Sequence, residues 1–448
     1  MKNLKYIIFT FTILLAFGCQ DQLDLAPESQ IGENGFYENT SQVEAAVIAI
    51  YDGLQNVPLR EFALTEMRSD NTRTKSSEGD WAQFESFDVE PTNLAIGDYW
   101  VANYNVIFRA NRVLENLSVV DDASLRNQFE GEAKFARALA HFNLTRAFGG
   151  VPIIDKVIIQ TETEFFGQDE QSAVLAAVES DLASAMENLP SSMPFGRATK
   201  GAAQALLGKV RLTQGNYSGA ESVLNTLISS GTYTLMDDYR DVFYAEGNDE
   251  IIFAIPYLDD DANESQDFSF EMTVGGVVSG LNYVTDDFNA NYSPDETVRT
   301  ETLFNPLVPA EVGKFLTASS DARLCGNDWI VMRYADVLLM YAEALMAGGA
   351  STTNGSALDA YNAVRTRAAM PTADTELTKE MLLNERRVEL AFENHRFYDL
   401  VRFGVAESVL SAFATANGET FAPTDVILPI PQNEINVSGG ALTQNPGY

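Results

Sequence analysis

Apolar residues recur at helical spacing along the first half of the chain. Within residues 41–55 they fall at intervals of three and four and so share one face of a helix. The same period runs through residues 100–117 and 131–154, and the second of these segments stops at Gly149 and Gly150 before turning at a proline. These segments predict helices that each bury one face.

Two further segments have the spacing of a tetratricopeptide repeat, in which two helices pack against each other. In residues 202–227 the small residues Gly208 and Ala220 allow the helices to approach closely, and the turn between them falls at Gly215. Residues 334–368 form a second pair, separated by a loop of Gly, Ser and Thr. Together with the other helices, the two pairs predict a curved helical scaffold.

Two stretches lack a helical period and are rich in Asp, Asn, Ser, Thr and Gly. They cover about 61–99 and 258–328, and structureless stretches of this length in a compact protein are usually functional or disordered. Aromatic residues inside both stretches argue against disorder. Residues 250–257 form a short apolar run that predicts a buried strand.

The predicted fold is therefore mainly α, with a tetratricopeptide-like helical scaffold, an irregular, loop-rich subdomain and a few short strands. The scaffold takes up about 41–60, 100–230 and 330–411 of a single domain that spans 41–448. The two irregular stretches are expected to face the ligand. With 448 residues and 46% hydrophobic content, the chain is long enough to bury a large core.

The chain is strongly acidic, with 64 Asp and Glu against 29 Lys and Arg and a formal net charge of −35. This composition argues against nucleic acid as a partner, because binding of phosphates requires clustered Lys and Arg. It also disfavours a strongly anionic polymer as the ligand, unless a local basic pocket overrides the overall field.

The N-terminal residues have the pattern of a lipoprotein signal peptide. Lys2 and Lys5 precede an apolar run over residues 6–17, which is shorter than the about 20 residues needed to span a bilayer. Small residues then lead to Cys19, which predicts cleavage after residue 18 and acyl chains, palmitate among them, on Cys19. The alternative is ordinary secretory cleavage beside a chance cysteine.

Processing would leave residues 19–40 as a tether between the lipid and the domain. Cys325, the other cysteine, then has no disulfide partner, so the core must hold the fold together. The most apolar later segment, 331–350, is interrupted by charged residues. Contact with the membrane is therefore expected through the lipid alone.

The sequence offers little for catalysis. His141 and His395, its two histidines, stand in no zinc-binding spacing. No nucleophile elbow, Walker motif or dinucleotide-binding motif is present. The acidic residues 259–261 lack the alternating spacing of a calcium loop and are typical of a solvated turn. We therefore expect no enzymatic activity, no cofactor and no metal.

Residues 385–404, ERRVELAFENHRFYDLVRFG, mix charges of both signs with aromatic and aliphatic residues. At spacings of three and four residues, opposite charges would pair along one helix. Because aromatic residues are interspersed, we predict a partly buried structural network. The alternative is a solvated charged face, where each pair stabilises by only about 0.3–0.5 kcal/mol. The predicted members are Glu385, Arg386, Glu389, Glu393 and Arg396.

This segment resembles the C-terminal signature of the SusD/RagB family, which reads like ERR-x-EL-x-FE-x-x-R-x-x-DL-x-R. Residues 100–117 and 131–154 resemble two further signatures, and the endings VILPIPQNEI and TQNPGY are also similar. The resemblance implies a noncatalytic, surface-exposed outer-membrane lipoprotein that captures an oligosaccharide or polysaccharide for a TonB-dependent transporter of the SusC type. A peptide- or protein-capturing member of the same family and a tetratricopeptide-type structural adaptor are the alternatives.

Capture of a glycan requires aromatic rings, on which the C–H faces of sugars stack, beside polar groups for the hydroxyls. Asn71 and Arg73, followed by Trp81, offer both in irregular sequence. The alternative is that Trp81 packs beneath its own loop, and Trp100 is expected to serve the scaffold more than the ligand. The candidate ligand-binding residues are Trp81, Asn71, Arg73, Tyr283, Tyr292 and Trp100.

Overall fold

The computed structural model describes residues 36–74, 79–159, 161–272, 282–317, 319, 321 and 324–448. The predicted signal peptide, Cys19 and most of the predicted tether lie outside these residues. Among the helices of the described ranges, none combines the length and the apolar character that crossing a membrane requires.

Helices dominate the described chain, as the apolar period predicted. In the first half they are α1 (Thr40–Leu54), α2 (Pro58–Thr65), α3 (Gly79–Glu85), α4 (Leu94–Asn116), α5 (Ala123–Phe148), α6 (Gln171–Asn188), α7 (Lys200–Thr213) and α8 (Tyr217–Ser229). In the second half they are α9 (Asp241–Tyr244), α10 (Phe268–Glu271), α11 (Asp286–Asn291), α12 (Thr300–Leu303), α13 (Tyr334–Met346), α14 (Gly355–Arg367), α15 (Lys379–Glu389), α16 (Arg396–Arg402), α17 (Ala406–Asn417) and α18 (Gln432–Val437). Short 3-10 helices cover Glu66–Arg68, Leu117–Val119, Thr163–Phe165 and Pro423–Val426.

The strands are short. They are β1 (Thr72–Arg73), β2 (Ile251–Ile255), β3 (Tyr283–Val284), β4 (Phe304–Asn305), β5 (Val308–Val312), β6 (Trp329–Arg333), β7 (Ser351–Thr352) and β8 (Leu377–Thr378). Within the described ranges they pair as antiparallel two-stranded ladders, β1 with β3, β2 with β6, β4 with β5 and β7 with β8. The predicted mainly α fold with a few short strands is confirmed, and β2 is the predicted buried strand.

Several helices begin where a capping side chain binds the first free backbone N–H groups. The side-chain oxygen of Asn39 accepts a hydrogen bond from the Gln42 N–H at 3.1 Å, and Asp122 accepts from the Ser124 N–H at 2.8 Å. The helices α7, α8, α14 and α15 are capped in the same way by Thr199, Asn216, Asn354 and Thr378. Local sequence therefore fixes where these helices begin.

The helices form one continuous scaffold. Consecutive helices pack against one another from α4 to α8, and α8 packs against α13, which pairs with α14. A shared hydrophobic core extends from Val43 on α1 past Val364 on α14 to Leu442. This arrangement is the tetratricopeptide-like scaffold that the two repeat-like segments predicted.

The pair α7–α8 depends on a glycine at the point where the helices meet. A Cβ atom at Gly208 would overlap the side chain of Leu224, with Leu224 Cγ at 2.7 Å. We therefore expect Gly208→Ala to lower the free energy of unfolding by about 1–3 kcal/mol, the usual cost of overpacking. Denaturant unfolding measures the change. Gly97→Ala on α4 is the control, because a Cβ at Gly97 meets nothing within 4 Å. Equal stability of the two variants would contradict the close contact.

The charged segment 385–404 is not one helix, and the prediction of a continuous helix there is wrong. Helix α15 ends at Glu389, and α16 begins at Arg396. Between them, Phe392 and Asn394 have φ angles of 68° and 63°, in the left-handed region that interrupts a helix. The chain therefore reverses inside the segment, and its charges face several directions.

The end of α15 is held by side chains from distant parts of the chain. The backbone carbonyl of Glu389 accepts hydrogen bonds from the Tyr239 hydroxyl at 2.7 Å, from Lys314 Nζ at 3.1 Å and from Arg333 Nη2 at 2.6 Å. These donors satisfy an acceptor that the end of a helix leaves without an intrahelical partner. The turn after Glu389 is thus fixed by tertiary contacts.

The predicted pairing of Arg386 and Arg396 with glutamates of the segment is also wrong. Arg386 binds Asp399 at 2.8 Å and Asp336 at 2.9 Å instead. Arg396 binds Asp70 at 2.7 Å, which joins the segment to the loop before β1. Reversal of the chain after Glu389 moves these side chains off a common helical face.

The three glutamates of the segment enter a buried ionic cluster, here called the Glu389 cluster. Glu389 is bound by Arg299 at 2.9 Å, by Arg333 at 2.5 Å and by Arg367. Burial opposes ionisation, but these arginines outweigh it and hold the pKa of Glu389 well below its ordinary value. The members are Glu250, Glu296, Glu385, Glu389, Glu393, Arg299, Lys314, Arg333, Arg365 and Arg367.

Candidate functional site

Asn71, one of the predicted ligand-binding residues, lies just before β1 and is buried. Its side-chain oxygen accepts a hydrogen bond from Arg387 Nε at 2.9 Å, and its side-chain nitrogen donates to Glu66 at 3.4 Å. Both ends of the amide are therefore bound within the protein. In this structure Asn71 fixes the loop that leads into β1.

Arg73 and Tyr283 face each other across the β1–β3 ladder. The side chain of Arg73 is half exposed and lies 3.3 Å from the carboxylate of Glu85 on α3. Glu85 also accepts a hydrogen bond from the Thr74 N–H at 3.0 Å. Tyr283 is buried. The ladder is thus fastened to α3, the helix that carries Trp81.

Trp81 lies on α3 one helical turn before Glu85, so the two side chains share one face of the helix. Its ring is half-buried and stacks on Phe62, with centroids 5.9 Å apart and ring planes at 12°. The guanidinium of Arg60 lies 5.9 Å from the centroid of the Trp81 ring. The structure therefore connects Trp81 to Arg73 through Glu85 on α3.

Two carboxylates lie beside Arg60 next to this ring. Arg60 is 3.6 Å from Asp267 and 3.9 Å from Asp98, whose side chain is 65% exposed. Asp98 belongs to the first turns of α4, and Asp267 directly precedes α10. We call Trp81, Arg60, Asp98 and Asp267 the Trp81 shelf.

The Trp81 shelf has the parts that binding of a sugar requires. The exposed part of the Trp81 ring is of the type that stacks on sugar C–H groups, carboxylates such as Asp98 and Asp267 can accept hydrogen bonds from hydroxyls, and the guanidinium of Arg60 can donate them. Phe62, on which the ring stacks, belongs to the hydrophobic core. The ring is therefore positioned before a ligand arrives, which lowers the entropic cost of binding.

The other two aromatic candidates pack against core aromatic residues. Tyr292 follows α11, donates its hydroxyl to the Glu296 carbonyl at 2.8 Å and has its ring centroid 5.5 Å from that of Phe304. Trp100 is 3% exposed, and its ring centroid lies 5.1 Å from that of Phe148. The ring of Trp100 is therefore enclosed by the core, whereas that of Tyr292 is half-buried like that of Trp81.

A polar groove of about 790 Å³ lies beside β1, and our sequence analysis did not predict it. Helix α17 contributes Val409, Ala412, Phe413 and Ala416 to its lining. Their spacing of three and four residues marks one apolar helical face. That signal is present in the sequence, but the sequence does not show which residues the face meets.

The polar part of the groove consists of arginines paired with aspartates. Arg387 binds Asp287 at 2.7 Å, and Arg396 binds Asp70 at 2.7 Å. Burial disfavours the charged form of Asp70, but Arg396 and Arg387 outweigh it and hold the pKa of Asp70 below its ordinary value. Arg73 also lines the groove and is joined to α3 through its ion pair with Glu85. We call these five residues and the apolar face of α17 the Arg387 groove.

Comparison with protein families shows to which class of proteins this chain belongs. Residues 310–448 match the model of the SusD family, and residues 21–212 match the family described as "Starch-binding associating with outer membrane". The two matches cover opposite ends of the chain. Both place it among SusD-like proteins.

Individual relatives agree with this class. A solved structure described as a laminarin binding SusD-like protein is 30% identical, with a TM-score of 0.78 and coverage of 92% of this chain and 100% of that chain. SusD-like protein P25 of Formosa agariphila is 26% identical, with 100% of both chains covered. Surface glycan-binding protein A of Bacteroides thetaiotaomicron, solved in complex with laminarihexaose, has the same fold, with a TM-score of 0.78. It is 23% identical, and the comparison covers 91% of this chain and 99% of that chain. The chain belongs to the SusD/RagB family, as its sequence signatures predicted.

Proposed function

We propose that this protein captures an oligosaccharide or polysaccharide without changing it chemically and passes it to a TonB-dependent transporter of the SusC type in the outer membrane. The observation that carries the proposal is the Trp81 shelf, where a positioned ring lies beside two carboxylates and a guanidinium. The 30% identical relative described as laminarin binding supports a glycan as the ligand. Laminarin is therefore the first glycan to test.

In this proposal a sugar ring lays its C–H face on the exposed part of Trp81. Its hydroxyls donate to Asp98 and Asp267 and accept from Arg60. A single stacked ring contributes about 1–2 kcal/mol, whereas micromolar affinity requires about 8 kcal/mol. Several sugar units must therefore contact the protein at once, and each contact is weak enough to break one at a time during transfer.

A glycan array probed with the chain expressed without residues 1–19 tests the ligand class. We expect neutral glycans, laminarin oligosaccharides included, to bind. Strongly anionic glycans should bind less well, because the net charge of −35 repels them. Binding of peptides with no binding of any glycan would overturn the proposal.

The Arg387 groove favours a second candidate function, the capture of an extended peptide. It combines the apolar face of α17 with fixed charges at Arg387 and Asp287, and a peptide offers both apolar side chains and polar backbone groups. A peptide library probed with the same protein and with Phe413→Ala tests this function. Peptide binding that Phe413→Ala removes would support it, and a library without any bound peptide would exclude it.

We also propose that acyl chains on Cys19 anchor the protein, with the domain exposed at the cell surface. Cys19→Ala is expected to release the protein from the membrane fraction without lowering its melting temperature, because stable anchoring takes more than one acyl chain and Cys19 would carry them. Membrane fractionation measures the release. Cys325→Ala removes the other cysteine, which is buried, and should leave the protein in the membrane fraction. Unchanged recovery of Cys19→Ala in the pellet would refute the anchor.

A further inference from the structure

A hollow of about 480 Å³ lies beside α4 and α18, outside the Trp81 shelf. Aromatic and polar side chains line it together, among them Tyr104, Phe165, Phe166, Asn105 and Glu434. Aromatic rings next to amide and carboxylate groups are the combination that binding of a sugar requires. We call this site the Tyr104 hollow.

Two rings of the Tyr104 hollow are suited to stacking. Tyr104 and Phe166 are both half-buried. The hydroxyl of Tyr104 donates to the Pro152 carbonyl at 2.9 Å, so its ring is held in place before a ligand arrives, which lowers the entropic cost of binding. Lys156 Nζ lies 4.4 Å from the centroid of the Phe165 ring and covers one of its faces. We therefore assign stacking to Tyr104 and Phe166.

The polar groups of the hollow can bind the hydroxyls of a neutral sugar. The amide of Asn105 is exposed and offers both donors and an acceptor. Glu434 on α18 is half-buried and offers acceptors. Among the described residues that line the hollow, none is Lys or Arg, and Lys156 nearby is bound to Glu162 at 2.7 Å. A neutral sugar therefore suits the hollow better than an acidic one.

Helix α4 connects the Tyr104 hollow to the Trp81 shelf. Asp98 of the shelf is followed at spacings of three and four residues by Val101 and Asn105, which line the hollow. Residues at these spacings are neighbours on one face of a helix, and all three are exposed. Asp98 and Asn105 are about 10 Å apart along the helix axis, a span that a few sugar units cover. A glycan that stacks on Trp81 can therefore extend along α4 into the hollow.

We propose that the Tyr104 hollow is a second glycan-binding site, which holds the same glycan chain as the Trp81 shelf a few sugar units further along. A sugar ring lays its C–H face on Tyr104 or Phe166, and its hydroxyls bind Asn105 and Glu434. The inference rests on the proposed function, which supplies the glycan, and it defines the ligand as a neutral chain of several units. Two weak sites on one chain give tight binding, because the first contact raises the effective concentration of the chain at the second.

Calorimetric titration of the full chain with laminaribiose and with laminarihexaose tests the inference, beside thermal melts that show each variant to be folded. The unaltered protein should bind laminarihexaose at least about tenfold more tightly. Phe166→Ala and Asn105→Ala should each lower affinity for laminarihexaose about five- to tenfold, because they remove a stacked ring and a hydrogen bond. Their affinity for laminaribiose should stay within about twofold. Phe195→Ala is the matched control, because Phe195 is 36% exposed and does not line the hollow, and it should change neither affinity.

Unchanged affinity of both hollow variants for laminarihexaose would overturn the inference and leave glycan capture at the Trp81 shelf standing. Loss of laminaribiose binding in both hollow variants, with Trp81→Ala unaffected, would also overturn it, because the hollow would then be the principal site. If the array singles out another neutral glycan, its disaccharide and hexasaccharide replace the two probes. If the unaltered protein binds no glycan at all, the proposed function fails, and the inference fails with it.

Discussion

Glu389→Ala is expected to lower the free energy of unfolding by about 3–5 kcal/mol, the usual cost of removing one partner from a buried ionic group. The substitution deletes the carboxylate that binds Arg299, Arg333 and Arg367. The side chains of Arg299 and Arg333 are 0% and 1% exposed, so bulk water cannot replace the lost charge. Alanine is the best helix former, so the loss cannot be attributed to the helix propensity of α15.

Thermal melting and denaturant unfolding measure this effect, with Glu380→Ala as the matched control. Glu380 is exposed in the first turn of the same helix, where a carboxylate stabilises by no more than about 1 kcal/mol through the helix dipole. A Glu389→Ala protein as stable as the unaltered one would show that the cluster is not structural. If that stable variant also lost ligand or partner binding, the segment would be a functional surface.

Trp81→Ala is expected to weaken glycan binding about tenfold, because a stacked ring contributes about 1–2 kcal/mol. The fold should persist, since the ring is half-buried and Phe62 beneath it stays in the core. Trp100→Ala is expected to do the reverse. Its ring is 3% exposed and packs on Tyr104 and Phe148, so its removal should cost about 3–5 kcal/mol of stability.

Calorimetric titration of both variants with the tightest-binding glycan of the array, beside thermal melts, measures the two effects. Trp81→Phe should keep part of the affinity, because a smaller ring still offers a face for stacking. A well-folded Trp81→Ala protein with unchanged affinity would contradict the assignment of the Trp81 shelf. The site would then be sought at Tyr292, because Tyr283, the other tyrosine candidate, is buried.

The scaffold could be predicted because it depends on residues that are close together in the chain. The helix predicted over residues 100–117 is α4, which begins earlier, at Leu94, because the side chain of Asn93 accepts a hydrogen bond from the Ala95 N–H at 3.0 Å. The close approach predicted at Gly208 is present as well. Periodicity, caps and small residues are local signals, and a single sequence contains them.

The Glu389 cluster depends on residues far apart in the chain, so the sequence did not show its pairing. Glu389 and Arg299, for example, are separated by 90 positions. The reversal that directs Glu389 toward its partners has Phe392 at a positive φ, which phenylalanine rarely adopts. Asn394, a residue type that tolerates this conformation, is the one local sign of the turn.

The candidate site could be predicted only as a set of residue types. Trp81 and Arg73 are connected through Glu85, which lies on the helix of Trp81 and pairs with Arg73. The partners that shape the shelf, Phe62 and Asp267, come from separate elements. Asn71 has the right chemistry for a sugar hydroxyl, yet tertiary contacts bury it. The types of the residues that lie near an aromatic residue in the sequence therefore do not determine which side chains reach the surface.

The order in which the charged residues of the Glu389 cluster occur along the chain also affects how the chain folds during synthesis. Its cations all lie within residues 299–367, whereas three of its five carboxylates follow at 385–393. During synthesis the cations therefore emerge before most of their counter-charges, and contacts of such long range form late in folding. A chain cut short before residue 385 is left with cations that it cannot bury. Resistance to proteolysis is thus expected only of chains completed past this segment, and truncated copies should be degraded faster than the full chain.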